Sequence, residues 1–382
     1  MDEPAQAAAV SGGLEFTVGQ LGRIEPLARG GTATVHLVPD LTRVGDQPGP
    51  YVYKKYTDKT KQSAGPALGQ GLSNFVQFRD RLPADQLKAW DERIIWPVAL
   101  VKDGGGAADG ILMRIIPDRF FHHFTKRNGG SNHKPREIET LFGDTETAMR
   151  KGLPDVSLGT RLQLIRAIAA AYGMMHKENI VLGDVSGRNI IYDPDPQRPA
   201  IMVVDVDSAR IRGNRATFGS QPHTPNWQPP EALAASHALE SAKRSVPPAA
   251  RDVQDRLHNA WSIQSAKTDV YKFGLMVVRI LDFGRGCAVN RDPAKARTIL
   301  RAQLGTEAQA LLDASMAGDP QDRPLMRDWY RVLQGAPSTT PKQRPRSAPA
   351  PVTPPRPVLV NGTRRGNWEW VEGHGWSRIT AP

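Results

Sequence analysis

Residues Ile180 to Ile211 read IVLGDVSGRNIIYDPDPQRPAIMVVDVDSARI. Asp184 and Asn189 stand five apart, and a short apolar strand, Ile190 to Tyr192, follows them. An Asp-Pro turn then interrupts the chain. A second apolar run, Ile201 to Val204, delivers Asp205. Two strands joined by a turn form a hairpin, which brings Asn189 and Asp205 to the same end. An amide and a carboxylate there suit magnesium, a hard cation that takes oxygen ligands and keeps room for substrate phosphates. Asp184, beside that pair, is a candidate base for a hydroxyl.

Working outward, RLQLIRAIAAAYGMMHKEN precedes the hairpin. It places Leu162, Ile165, Ala169, Tyr172 and His176 on one helix face. Beyond the hairpin, DVYKFGLMVVRIL is apolar on nearly every side, as a fully buried helix is. The first third of the chain is strand-rich instead: RIEPLARGGTATVHLV, YVYKKY, IIWPVALVKD and GILMRII, some of them separated by glycine-rich turns. Strands first and helices after give an α+β architecture in two lobes. The main domain is expected over 14–335, with a β-rich N-lobe over about 14–117 and a helical C-lobe over about 118–335.

The Asp184–Asn189–Asp205 block resembles the catalytic and metal-binding loops of the protein-kinase-like fold. The resemblance implies that Asp184 orients or deprotonates the acceptor hydroxyl, and that Asn189 and Asp205 hold the metal ions that bridge ATP phosphates. Other motifs follow in the order that family has. LARGGTATVHLV resembles the glycine-rich loop, with Gly30 at its central glycine and Ala28 and Ala33 in place of the outer two. In YVYKKY, alternation puts Val52 and Lys54 on one face and leaves Lys55 toward solvent. By the resemblance Val52 touches adenine and Lys54 the α/β-phosphates, with Ala28, Gly30, Gly31, Ala33, Val35 and Met113 completing the nucleotide site. NWQPPEAL is similar to the end of the activation segment, with Glu231 as its acid, and GDPQDRP supplies Arg323 as that acid's partner. SAKTDVYKFG is similar to the start of the central helix, where Asp269 would hold the catalytic-loop backbone. The likeness covers about residues 20–335. It is nearest to a divergent bacterial group whose metal strand reads Asp-x-Asp-Ser, here Asp205 to Ser208; Asp207 either adds a carboxylate to the site or simply bonds backbone, and the second is expected.

The resemblance implies an ATP- and magnesium- (or manganese-) dependent protein Ser/Thr kinase acting on a protein substrate. A nucleotide-binding pseudokinase or scaffold is the alternative. A small-molecule phosphotransferase of the aminoglycoside or choline kinase kind is a third reading, since GDVSGRN fits it as well. The pattern also breaks in places. Leu182-Gly183 replaces the usual His-Arg, so activity is expected not to need phosphorylation in the segment that carries Thr217, Ser220 and Thr224. Ser186 stands where a lysine is usual, which leaves Arg188 as the nearest cation for a γ-phosphate. No glutamate on GQGLSNFVQFRDRL can pair with Lys54; Asp80 is short, and Glu92 lies past the helix. Asp282-Phe283-Gly284 spells the usual metal-binding tripeptide, but it lies well after Glu231, where a helix is ending. Gly284 and Gly286 suit a helix terminus there.

Bulk composition bounds the rest. The chain has 382 residues, a net charge of +11 and one cysteine, Cys287, so no intramolecular disulfide can form. MDEPAQAAAVSGG is expected to be disordered and lacks the basic-then-apolar pattern of a signal peptide. With no long apolar run, neither a span nor a membrane partner is expected, and the location implied is cytoplasmic. Residues 336–357 carry eight prolines and read as an extended linker. Residues 358–382 form a short tryptophan-rich β tail with a turn signal at Asn361-Gly362, too small to bury a core of its own. From Ala336 onward there are seven Lys/Arg against two Glu. Basic residues beside Trp368, Trp370 and Trp376 could stack nucleic-acid bases, but a small meander packed on protein accounts for them, and nucleic acid is not the expected partner. A partner protein at the linker or tail is.

Overall fold

The computed structural model describes residues 14–335 apart from 46, 126–130, 212, 215, 222 and 286–288, together with 364–365, 368–371 and 375–378. The expected disorder over 1–13, the linker 336–357, the Asn361-Gly362 turn and Cys287 lie outside the described residues. The chain divides into two compact units, 1–340 and 341–382.

The first unit is mixed α+β, with its sheet in the N-terminal part and most of its helices later, a layout that fits two lobes. In chain order it begins with β1 (Glu15–Thr17), β2 (Glu25–Arg29), β3 (Ala33–Val38), the short β4 (Arg43–Val44) and β5 (Gln47–Pro48), and β6 (Tyr51–Tyr56). Three helices follow, α1 (Asp58–Ala64), α2 (Ala67–Asp80) and α3 (Ala84–Asp91), then β7 (Pro97–Lys102) and β8 (Ala108–Arg114). Six of these strands form one sheet in the order β1-β7-β8-β6-β3-β2. All neighbours are antiparallel except β1 and β7.

Period-two alternation along β6 explains how the sheet is covered on both faces. Tyr51 and Tyr53 pack with Phe16, Leu21, Val98 and Leu112 on one face. Tyr56 packs on the other with Leu68 and Leu72 of α2 and with Ile111. Lys54 shares that second face and is buried, whereas Lys55 is exposed. Behind β6, Gly110 of β8 pairs with Lys55, and a Cβ at Gly110 would lie 2.2 Å from the Lys54 carbonyl oxygen. Only a residue without a side chain lets the two strands approach so closely.

The later part runs through β9 (Phe121–Thr125), β10 (Ser131–Pro135), α4 (Thr145–Arg150) and α5 (Leu158–Lys177). Then come β11 (Ile180–Val181), β12 (Ile190–Asp193), β13 (Ala200–Val203) and β14 (Arg210–Ile211). It ends with α6 (Pro230–Arg244), α7 (Arg251–Ser262), α8 (Ala266–Leu281), α9 (Ala294–Leu304), α10 (Thr306–Ser315) and α11 (Met326–Leu333). Ser157 caps α5 through Thr160 N at 3.2 Å, and Ser265 caps α8, each satisfying an amide the helix leaves unpaired. Every residue of α8 from Thr268 to Leu281 is buried, as a sequence apolar on nearly every side implies, and the charged Asp269, Lys272 and Arg279 are buried with the rest. Together α5 and α8 form the centre of the largest core cluster, with Leu162, Ile165, Phe273, Met276 and Trp329.

No helix among the described residues is long and apolar enough to cross a membrane. In the second unit, β15 (Arg364–Arg365), β16 (Trp368–Val371) and β17 (Gly375–Arg378) make a three-stranded antiparallel sheet in which Trp370 and Trp376 are register partners.

Candidate functional site

The hairpin of β12 and β13 pairs Ile190 with Val203, and Val204 N donates to Asn189 O at 2.9 Å. Asn189 and Asp205 therefore leave the hairpin at one end. Asp205 adopts φ +56 and ψ 42, a left-handed conformation that asparagine and aspartate enter more readily than most residues. A tight turn over Val206–Ser208 follows, and it returns Asp207 toward the sheet.

Lys54 meets this turn. Its Nζ donates to Asp205 Oδ1 at 2.8 Å and to Asp207 Oδ1 at 2.9 Å. Tyr56 lies two residues on along the same face, and its hydroxyl donates to Asp207 Oδ2 at 2.6 Å. Lys54, Tyr56 and Asp207 are buried, while the Asp205 side chain is 62% exposed. Burial alone would lower the lysine's pKa, but the Asp207 and Asp205 carboxylates outweigh it and hold the ammonium above its ordinary range. Burial likewise works against charge on Asp207, yet Lys54 holds that carboxylate below its ordinary range. The Tyr56 phenol is pushed well up, by burial first and by Asp207 second. Of the two readings of Asp207 the favoured one, a simple backbone bond, is corrected: its carboxylate is the buried partner of Lys54. Asp80 and Glu92 take no part: no ion pair joins either to Lys54, and Glu92 meets Arg93 instead.

Asp184 lies across the same opening. Asn189 Nδ2 donates to its carbonyl oxygen at 2.7 Å and to its Oδ2 at 3.2 Å, and Thr224 Oγ1 donates to Oδ1 at 2.5 Å. The loop before it is held from below by α8. Asp269 accepts from Leu182 N at 2.9 Å, Gly183 N at 3.0 Å and the His176 ring at 3.0 Å. Lys272, also on α8, donates to Gly183 O and to Gln264 Oε1. Burial lowers its pKa to about 8, although Asp269 and Asp184 draw it back up.

A cleft of about 410 Å³ joins these groups, lined by Gly31, Thr32, Lys54, Lys59, Asp184, Asp205 and Asp207 among others. Of the residues expected to contact a nucleotide, Gly31 and Lys54 line it. Gly30 forms the β2–β3 turn through its bond to Ala33 O, Ala28 is exposed on β2, and Ala33 is buried in the core under Tyr56. Val35 is the register partner of Lys54, and Met113 that of Val52. Met113 also packs beside Ile95, Phe120, Ile191 and Met202, where the sheet meets the hairpin. Arg188 does not line the cleft: its exposed guanidinium pairs with Glu139 at 3.0 Å. The second lysine at the cleft is Lys59, a residue the sequence did not single out. Thr217 is buried and Thr224 is bound to Asp184, so replacing them would disturb packing and the Asp184 contact whatever phosphorylation does.

For a cation, the chemistry of the donors decides. Among the described residues no group of three or more His, Cys, Asp or Glu side chains is placed to hold a metal. The candidate pair is an amide and a carboxylate instead. Asn189 donates through nitrogen, which leaves its oxygen to accept, and Asp205 is largely open to solvent. That oxygen pair fits a magnesium ion that keeps several waters.

Elsewhere, Arg323 and Glu231 form a two-pronged pair at 2.8 and 2.6 Å, with the guanidinium fully buried over the Tyr271 ring. Asp282 is buried at the end of α8. It accepts from Asn290 Nδ2 at 3.0 Å and pairs with Lys295 at 3.4 Å. Gly284 has φ +85, the left-handed conformation that suits a helix terminus, and its N–H bonds to Phe142 O. None of Asp282, Phe283 and Gly284 lines the cleft.

No family model matches this chain, and no curated protein matches it.

Proposed function

We propose that this cleft is the phosphoryl-transfer site of an ATP- and magnesium-dependent protein Ser/Thr kinase. One observation carries the reading: Lys54, Asp184 and Asp205, drawn from the sheet and from two separate loops, line one cleft, and Asn189 is bonded to Asp184 at its edge. Asn189 and Asp205 would hold magnesium, which when bound would neutralise charge on the phosphates. Lys54 would orient the phosphates, and Asp184 would accept the proton of the acceptor hydroxyl. The hydrogen bonds from Asn189 and Thr224 fix the direction in which the Asp184 carboxylate points. Fixed orientation of the reacting groups, with no covalent intermediate, is how this chemistry proceeds.

A second reading, nucleotide binding without transfer, is favoured by the same Thr224 hydroxyl, since it occupies an oxygen of the candidate base at 2.5 Å. One experiment separates the two. The purified protein is incubated with labelled ATP and magnesium or manganese, alone and with a generic protein substrate, beside Asp184→Asn and Asp205→Ala. Transfer by the wild type that is lost in both variants supports the kinase. Nucleotide binding without transfer supports the alternative, and neither binding nor transfer overturns both.

A further inference from the structure

Both partners of Lys54 lie within three residues, Asp205 just before the turn and Asp207 on it, and neither comes from a helix of the sheet region. In protein kinases the corresponding lysine is set by an acid on a helix, so the position of that helix controls activity. Here α2 reads ALGQGLSNFVQFRD, and its one acid, Asp80, is exposed at its end. At its middle α2 comes up against the segment after the turn instead: a Cβ on Gly71 would lie 3.0 Å from Thr217 Cα. Phe218 then packs edge-on to Tyr56, with ring centroids 5.4 Å apart.

We propose that Asp207 is the positioning residue for Lys54, held by Tyr56, so that the lysine is set by the strand-turn that carries Asp205 and not by α2. This rests on reading the cleft as a nucleotide site. The two carboxylates differ in a way that assigns separate tasks. Asp207 is as buried as the lysine, at 8% side-chain exposure for each, whereas Asp205 is 62% exposed. A buried ammonium needs a fixed, hydrogen-bonded counter-charge. Asp207 meets that need, since its second oxygen is tied to Tyr56. Asp205, in solvent, is free to turn to a cation while Lys54 keeps its buried partner. The left-handed backbone at Asp205 is what makes the division geometrically available, because it directs two carboxylates two residues apart to one ammonium. Tyr56 is recruited by the period of β6, which puts it on the same face as Lys54.

The test uses the full-length protein without nucleotide. Lys54 is labelled with an amine-reactive ester and read by peptide mass spectrometry, with circular dichroism confirming the fold of each variant. Labelling is expected to rise about tenfold in Asp207→Asn, where a buried pair is broken, and less in Tyr56→Phe and Asp205→Asn. Equal labelling of Lys54 in wild type and folded Asp207→Asn overturns the proposal. If Asp207→Asn does not fold, Tyr56→Phe, which keeps both charges, is read the same way: a rise supports the proposal and no change overturns it. In transfer from ATP, Asp207→Asn is expected to lower kcat at least about 100-fold, as loss of one preorganised charged group does, with Asp207→Glu restoring part of it. Unchanged kcat in Asp207→Asn overturns the positioning role. A folded wild type that neither binds nor transfers from ATP sinks both nucleotide readings of the cleft, and the labelling then still decides whether Asp207 positions Lys54.

Discussion

Asp205 and Asp282 each follow an apolar element and each open a short turn, yet the two turns do unlike things. At Asp205 the backbone goes left-handed at once, and the side chain stays in solvent at the mouth of a cleft facing Lys54. At Asp282 the side chain is sealed in the core and spent on Asn290 and Lys295, and the left-handed residue comes two positions later, at Gly284. The difference is one of placement: the Asp205 carboxylate is left largely in solvent, where it can turn to a ligand, whereas the buried Asp282 carboxylate has one oxygen bonded to Asn290 and the other beside the Lys295 ammonium. The letters Asp-Phe-Gly are present at the second site, and the cleft is at the first.

The largest expected effect separates the pair directly. Asp205→Ala should reduce phosphoryl transfer at least about 100-fold while leaving the denaturation midpoint near that of the wild type, since its side chain is mostly exposed. Transfer that survives in Asp205→Ala would break the comparison. Next comes a pair that, like Asp282, lies off the cleft lining. Arg323→Met leaves Glu231 without its buried partner and should cost about 3–5 kcal/mol in urea unfolding. Asp282→Ala should cost less, about 1–3 kcal/mol, because it orphans an amide and a partly exposed lysine. Its affinity for magnesium-ATP, measured by titration, should match that of the wild type; a large loss would put Asp282 back in the site.

The smallest effect is a pH tilt. The His223 ring, bonded to Trp261 O, has its pKa lowered to about 4 by burial first and by Lys272 second. Between about 6.5 and that value the unfolded histidine takes up a proton that the folded one refuses. Stability should therefore fall as pH drops through that window, by something on the order of 1 kcal/mol after allowing for partial exposure. His223→Gln should flatten the slope of unfolding free energy against pH, and an unchanged slope would assign the titration elsewhere.

Much of this was legible from residue patterns. The apolar runs on either side of the Asp-Pro turn fix the hairpin, and with it the neighbouring positions of Asn189 and Asp205. The apolar residues on nearly every side of α8 announced its burial, and the alternation of YVYKKY separated Lys54 from Lys55. Asp207 was not legible as the partner of Lys54. The two are 153 residues apart, and their meeting depends on a left-handed backbone at Asp205 that no periodicity reports. A clue was present in the lack of an acid facing Lys54 from α2, beside a second aspartate in DVDS and a tyrosine two residues after the lysine. Arg188 was misplaced for a related reason. Chain proximity put it near the site, but an exposed arginine takes the nearest carboxylate, and that was Glu139.

Gly110 extends the cleft's requirements to a residue that never enters it. Any side chain there would collide with the Lys54 carbonyl and displace β6, and Lys54 with it. In a saturation-mutagenesis scan, position 110 should therefore score like a residue of the cleft, intolerant of every substitution including alanine, though it does not line the cleft. A lesion at 110 would be inherited as a loss of chemistry while its cause lay entirely in the spacing of two strands.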